Sequence, residues 1–123
     1  MRHIKYILIH DTIPQNPAPE SRHCDVLNSG YHYIINSKGL VFNAIDINKP
    51  GAFLDSYNAC SIGIQYNGML SNPLLRAVLI DLIVGLRSHF PDAKILGVSE
   101  IDGKDIRPSA KMNQLRWELS NYS

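Results

Sequence analysis

Short apolar runs separated by turn-forming residues dominate the first half of the chain. Residues 5–9 (KYILI) and residues 61–66 (SIGIQY) are rich in strand formers and are typical of buried strands. Between them, the turn at residues 36–39 (NSKG) separates apolar runs at residues 31–35 and 40–44, which predicts a β-hairpin. The pattern therefore predicts four strands in this half.

The second half of the chain predicts two helices with a strand between them. The longer helix, at residues 74–90, can be capped by Ser71 or Asn72, and Pro73 suits its first turn. Its polar residues fall on one narrow stripe, so the pattern predicts that most of its circumference is buried. A strand is predicted at residues 94–98, and Ser109 can cap a second helix at residues 110–119.

The order of these elements predicts an α/β protein in which helices pack on a central mixed sheet. Residues 12–21 hold three prolines and predict a loop, and residues 20–27 are predicted to form a short helix. Residues 45–59 and 99–108 are predicted to be irregular.

Composition narrows the possible functions. A chain of 123 residues has the length of one domain, so residues 1–123 are expected to fold as a single unit. The net charge of +1 lacks the basic excess of a nucleic-acid binder. Neither a signal peptide nor a transmembrane segment is recognisable, so we expect no membrane partner and synthesis in the cytoplasm. Any role at the cell wall would then require release by another route.

Three stretches of the chain, read in order, carry a family resemblance: residues 7–12 (ILIHDT), 30–41 (GYHYIINSKGLV) and 51–68 (GAFLDSYNACSIGIQYNG). The set resembles the zinc-dependent N-acetylmuramoyl-L-alanine amidases of the phage-lysozyme and peptidoglycan-recognition-protein type. The similarity runs from His10 to about Trp117. It implies the amidase fold, peptidoglycan or a muramyl peptide as ligand, and a hydrolase that cleaves the lactyl–L-alanine amide.

The resemblance also implies roles for single residues. His10 corresponds to the first of three zinc ligands, and Tyr31 corresponds to a tyrosine that assists catalysis. The other two ligands are expected after the strand at residues 94–98 and shortly before Pro108. Lys104 has the spacing of the catalytic lysine of phage-type members, and a solvated loop lysine is the alternative interpretation.

The two remaining ligand positions depart from the family pattern. Val98 or Ser99 stands where the family has histidine. Ile106 or Arg107 stands where the family has cysteine or aspartate, and only a shift of two residues would bring Asp105 to that position. Because catalytic zinc needs three protein ligands, the sequence predicts a degraded zinc site in which only His10 remains. We therefore expect no cofactor and a pseudoenzyme without zinc-dependent catalysis.

The sequence is compatible with three functions. The favoured one is recognition of peptidoglycan by an inactive amidase-like domain. The second is an active amidase with an altered zinc site, for which His23, Cys24 and His32 could supply ligands. The third is a protein-interaction scaffold that binds a protein partner and no glycan.

Further residues are assigned to the predicted binding cleft, which contains His10, Phe53, Asn58 and Ser99. Phe53 replaces a histidine of the family pattern, and it either stacks on a sugar or partner or fills the space left by the missing metal shell. Asn58 is expected to fix a turn. His32 is expected to be structural, and Trp117 is expected to lie in the core.

Overall fold

The structure is a computed structural model that describes residues 3–12, 30–54, 56–67, 72–102 and 105–122. Its elements in chain order are β1 (Tyr6–Thr12), β2 (Tyr33–Ile35), β3 (Val41–Asn43), β4 (Ser61–Asn67), α1 (Pro73–His89), β5 (Lys94–Gly97), β6 (Ile101–Asp102), β7 (Asp105–Ile106) and α2 (Ala110–Leu119). Short 3-10 helices cover residues 58–60, 98–100 and 120–122. The segments predicted as a proline-rich loop and a short helix before residue 28 lie largely outside the described residues.

Strands β1 to β5 form a mixed sheet in the order β3-β2-β4-β1-β5. β1 is parallel to both β4 and β5, β2 is parallel to β4, and β3 returns antiparallel to β2 as the predicted hairpin. The predicted α/β class with a central mixed sheet is confirmed. Because the carboxyl ends of parallel strands meet at one edge, the end of β1 lies beside the turn that follows β5. Ile9 pairs there with Gly97.

The main core lies between the sheet and the two helices. Ile7 and Ile9 of β1, together with Ile62 and Ile64 of β4, belong to the same buried cluster as the apolar side chains of both helices. Side chains alternate between the two faces of a strand. His10, its β4 partner Gln65 and Gly63 therefore face the opposite side of the sheet, away from this core.

Helix α1 begins where its capping residues predict. The Asn72 side-chain oxygen accepts hydrogen bonds from the backbone N–H groups of Leu74 and Leu75, and Pro73 occupies the first turn. The predicted burial of most of the circumference is met only in part: Val78, Leu82 and Val84 are partly buried against the core, whereas Leu74 is 66% exposed. A helix that lies on one face of a sheet is covered on one side only, and here the buried residues form one stripe: Leu75, Leu79, Ile80, Ile83 and Leu86.

Helix α2 is capped by Ser109, whose hydroxyl oxygen accepts a hydrogen bond from the backbone N–H of Met112. Met112, Leu115 and Leu119 are buried, at the spacing of a single helical face. Trp117 was predicted to lie in the core and this was wrong, since its side chain is 64% exposed. It lies two residues after Leu115, which turns it about 200° away from the buried face.

The segment after β5 also departs from prediction. The strand ends at Gly97. Residues 99–108, which were predicted to be irregular, contain an antiparallel pair in which Ile101 lies opposite Ile106. This hairpin of two residues per strand is too short to leave a periodic signal in the sequence. In the described part of the chain, none of the helices has the length and apolar character needed to cross a membrane.

Candidate functional site

The carboxyl end of β1 brings His10 against Tyr31. The Tyr31 hydroxyl oxygen lies 2.8 Å from Nδ1 of His10, and the two ring centroids are 5.7 Å apart. Burial raises the pKa of Tyr31 to about 12, so the phenol keeps its hydrogen at neutral pH. The structure thus joins two of the residues that the resemblance implies, although 21 positions separate them in the chain.

Phe53 covers the other side of this pair. Its ring stacks on Tyr31 with centroids 4.9 Å apart and an angle of 18° between the ring planes. It also meets the ring of His32 edge-on, with centroids 6.0 Å apart. These contacts within the protein favour the interpretation in which Phe53 fills the space left by the missing metal shell, and its side chain is partly exposed.

The position of Phe53 depends on Asn58. The Asn58 side-chain oxygen accepts hydrogen bonds from the backbone N–H groups of Phe53 at 3.0 Å and Leu54 at 2.9 Å. This geometry agrees with the expected role of Asn58 in fixing a turn. Asn58 therefore contributes to the site by holding the chain on which Phe53 sits.

His32 is fully buried and uses both ring nitrogens. Nδ1 accepts a hydrogen bond from the backbone N–H of Gly63 at 3.1 Å, so the ring hydrogen is on Nε2, which donates to the carbonyl oxygen of Lys49 at 2.7 Å. These bonds fit the expected structural role. They also leave no ring nitrogen of His32 for a relocated zinc site.

The turn after β5 contains an ion pair that sequence reasoning missed. Glu100 is fully buried, and its two carboxylate oxygens accept hydrogen bonds from the guanidinium of Arg116 at 2.7 and 2.8 Å. The backbone N–H groups of Gly97 and Ser109 donate to the same carboxylate. The only available signal was a charged residue next to a predicted strand, and its partner lies 16 positions later.

This turn also contains the positions at which the resemblance places two zinc ligands. Val98 is partly buried and Ser99 is exposed. The next residue, Glu100, forms the ion pair with Arg116. The backbone N–H of Arg107 donates to the carbonyl oxygen of Glu100 at 2.7 Å, which holds residue 107 at the same turn. None of these side chains offers a thiolate, an imidazole or an uncommitted carboxylate.

The described residues do not fit a catalytic zinc ion. Among them, no three His, Cys, Asp or Glu side chains lie close enough together to hold a metal. One ring nitrogen of His10 is already hydrogen-bonded to Tyr31. Lys104, His23 and Cys24 lie outside the described residues.

Gly63 is a second site residue that the sequence did not single out. A Cβ there would lie 2.6 Å from Phe53 Cε1 and 2.8 Å from Tyr31 Cδ1. We expect Gly63→Ala to displace the stacked rings and to lower the free energy of unfolding by about 1–3 kcal/mol, as overpacking does. Urea denaturation measures this change.

Gly85 provides the matched control for that substitution. It lies in α1, and a Cβ there would meet nothing within 4 Å. Gly85→Ala is expected to raise the free energy of unfolding by about 0.5–1 kcal/mol, because alanine is the better helix former. A stabilising effect at Gly63 as well would show that the rings are not packed against that glycine.

Comparison with solved structures shows the same fold in several proteins. The N-acetylmuramoyl-L-alanine amidase LysC from Clostridium intestinale URNW matches with a TM-score of 0.74 and 18% identity, covering 97% of this chain and 87% of that chain. The Ph2119 endolysin from the Thermus scotoductus MAT2119 bacteriophage Ph2119 matches with a TM-score of 0.72 and 20% identity, covering 97% of this chain and 86% of that chain. Drosophila peptidoglycan recognition protein PGRP-SA matches with a TM-score of 0.65 and 17% identity, covering 94% of this chain and 79% of that chain.

Comparison at the level of sequence identifies the family. Among curated proteins, none matches this chain. A family model does match, over residues 1–100, and its description is N-acetylmuramoyl-L-alanine amidase (Amidase_2). Because this match spans most of the 123 residues, the chain belongs to the N-acetylmuramoyl-L-alanine amidase family.

Proposed function

We propose that this chain is a single amidase-like domain that binds the muramyl peptide of peptidoglycan without zinc-dependent hydrolysis. The observation that carries the proposal is the turn after β5. Two zinc ligands would be expected there, and its acidic residue, Glu100, is instead buried in a pair with Arg116. Membership of the amidase family supports peptidoglycan as the ligand.

The magnitudes support loss of turnover when two ligands are missing. Catalytic zinc lowers the pKa of a bound water from about 15.7 to about 7, which corresponds to about 12 kcal/mol. General acid–base catalysis by side chains such as His10 and Tyr31 contributes about 10²–10⁴-fold, or about 3–5 kcal/mol. These two residues therefore cannot replace the metal.

The same residues suffice for binding. His10 and Tyr31 provide polar atoms at the floor of the cleft, and the partly exposed ring of Phe53 provides an apolar contact for the methyl groups of the lactyl or N-acetyl moieties. A small number of placed polar groups on an apolar surface is the usual composition of a ligand site.

Co-sedimentation with purified sacculi tests the proposal. We expect the wild-type protein to sediment with the sacculi and to release no new L-alanine amino termini, with or without added zinc. His10→Ala is expected to weaken binding about fivefold, which is the effect of one lost hydrogen bond. His89→Ala changes an exposed histidine at the end of α1 and is expected to have no effect.

Three other outcomes would overturn the proposal, and two of them would establish a different function. Folded wild-type protein that stays in the supernatant would overturn the binding proposal. Zinc-dependent release of L-alanine termini would establish an active amidase instead. Failure to sediment, together with stoichiometric capture of a protein, would establish a protein-interaction scaffold.

A further inference from the structure

The two ring nitrogens of His10 have different surroundings. Nδ1 lies 2.8 Å from the Tyr31 hydroxyl oxygen. Nε2 has no hydrogen-bond partner among the residues that the structure describes. The side chain is partly exposed on the sheet face opposite the main core. A polar ring atom placed in this way is available to a ligand.

We propose that Tyr31 donates its hydroxyl hydrogen to Nδ1 of His10 and so fixes the ring hydrogen on Nε2, which donates to an amide carbonyl oxygen of the bound muramyl peptide. The inference deepens the proposed function and rests on it. In this arrangement Tyr31 is a positioning residue, and His10 is the residue that contacts the ligand.

The 2.8 Å contact allows either group to donate, and the proposed direction uses the hydrogen that the phenol keeps. A phenol that stays protonated has one hydrogen to donate, and a neutral imidazole that accepts at one nitrogen must carry its hydrogen on the other. The same tautomer is fixed at His32, where a backbone N–H donates to Nδ1. His32 therefore serves as an internal reference for the tautomer of His10.

Packing holds Tyr31 in place for this role. Its ring is buried and stacks on Phe53, and the main chain of the next residue is hydrogen-bonded to Gly63 at 3.0 Å. A fixed donor restricts the imidazole to one orientation before the ligand arrives. Less conformational freedom is then lost on binding.

The tautomer also determines the class of ligand. A nitrogen that carries hydrogen has no lone pair for a metal ion, but it can donate to an oxygen acceptor. Muramyl peptides present amide carbonyls, including the one that joins the lactyl group to L-alanine. We therefore assign the Nε2–H group of His10 to such a carbonyl.

Nitrogen NMR of the histidine rings tests the first half of the inference. We expect wild-type His10 to show the Nε2–H tautomer, as His32 does. In Tyr31→Phe the signals of His10 should move towards a mixture of tautomers, and those of His32 should stay unchanged and report that the fold is intact. Tyr33→Phe, a change of the same kind on β2, should leave His10 as in the wild type. An Nδ1–H tautomer in the wild type would overturn the inference.

Titration with N-acetylmuramoyl-L-alanyl-D-isoglutamine tests the second half. We expect Tyr31→Phe to weaken binding about fivefold and Tyr33→Phe to leave it unchanged. If the wild type binds this ligand and Tyr31→Phe binds equally well, the inference fails while the proposed function stands. If the wild type binds neither this ligand nor sacculi, the proposed function itself fails.

Discussion

Replacing Arg116 with methionine is expected to lower the free energy of unfolding by about 3–5 kcal/mol at neutral pH. The guanidinium of Arg116 binds both carboxylate oxygens of Glu100, which is fully buried. Without it, the carboxylate would remain buried with only backbone N–H partners. Urea denaturation followed by circular dichroism measures the loss.

The effect of Arg116→Met should depend on pH in a defined direction. Burial alone would raise the pKa of Glu100, but hydrogen bonds from Arg116 and from the backbone of Gly97 and Ser109 outweigh it and hold the pKa below its usual value. A carboxyl group of this kind stabilises the fold above its unfolded pKa of about 4.3, and this contribution is lost as the pH falls through the lower folded value. The difference between wild type and variant should therefore shrink below about pH 4.

Arg76→Met is the matched control. Arg76 also pairs with a glutamate at 2.8 Å, namely Glu118, but the Glu118 side chain is 19% exposed, whereas that of Glu100 is fully buried. Ion pairs open to solvent contribute about 0.2–1 kcal/mol, so the expected loss is correspondingly small. Equal losses in the two variants would contradict the distinction between a buried and a solvated pair.

The features that the sequence predicts well are local ones. Asn72, Pro73 and Ser109 act within one helical turn of their own positions, so the starts of both helices are readable from composition and spacing. The predicted burial of Trp117 was wrong because the exposure of this side chain depends on which face of α2 packs on the sheet. Its aromatic character favours burial, whereas its position on the helix decides against it.

The candidate site was predictable only in part. The resemblance pointed to His10 and Tyr31, but their hydrogen bond depends on β2 and β1 both pairing with β4, a long-range arrangement. The sequence allows Phe53 two roles, and the structure shows its stacking contact with Tyr31. The Glu100–Arg116 pair has no periodic signature, because two charges that meet across 16 positions look like ordinary solvated residues in a sequence.

Placing metal-binding side chains at the two positions that the resemblance assigns to zinc ligands is expected to produce the largest change in metal binding. Ile9 pairs with Gly97, so residue 98 lies next to His10 across the β1–β5 pair, and the hydrogen bond from Arg107 to Glu100 holds residue 107 at the same turn. Val98→His combined with Arg107→Cys would create, together with His10, a set of two histidines and one cysteine. Zinc would then take Nε2 of His10 and shift the ring hydrogen to Nδ1, which can donate to the Tyr31 oxygen. Three such ligands are the usual number for a zinc site with an open position.

We expect the wild type to retain less than about a tenth of an equivalent of zinc after dialysis and the double variant to retain about one equivalent, as measured by elemental analysis. Val98→His alone supplies only two imidazoles and should remain close to the wild type. Stoichiometric zinc in the wild type would contradict the loss of the metal site. Absence of zinc in a folded double variant would show that more than these two side chains separates this chain from the zinc-binding members of its family.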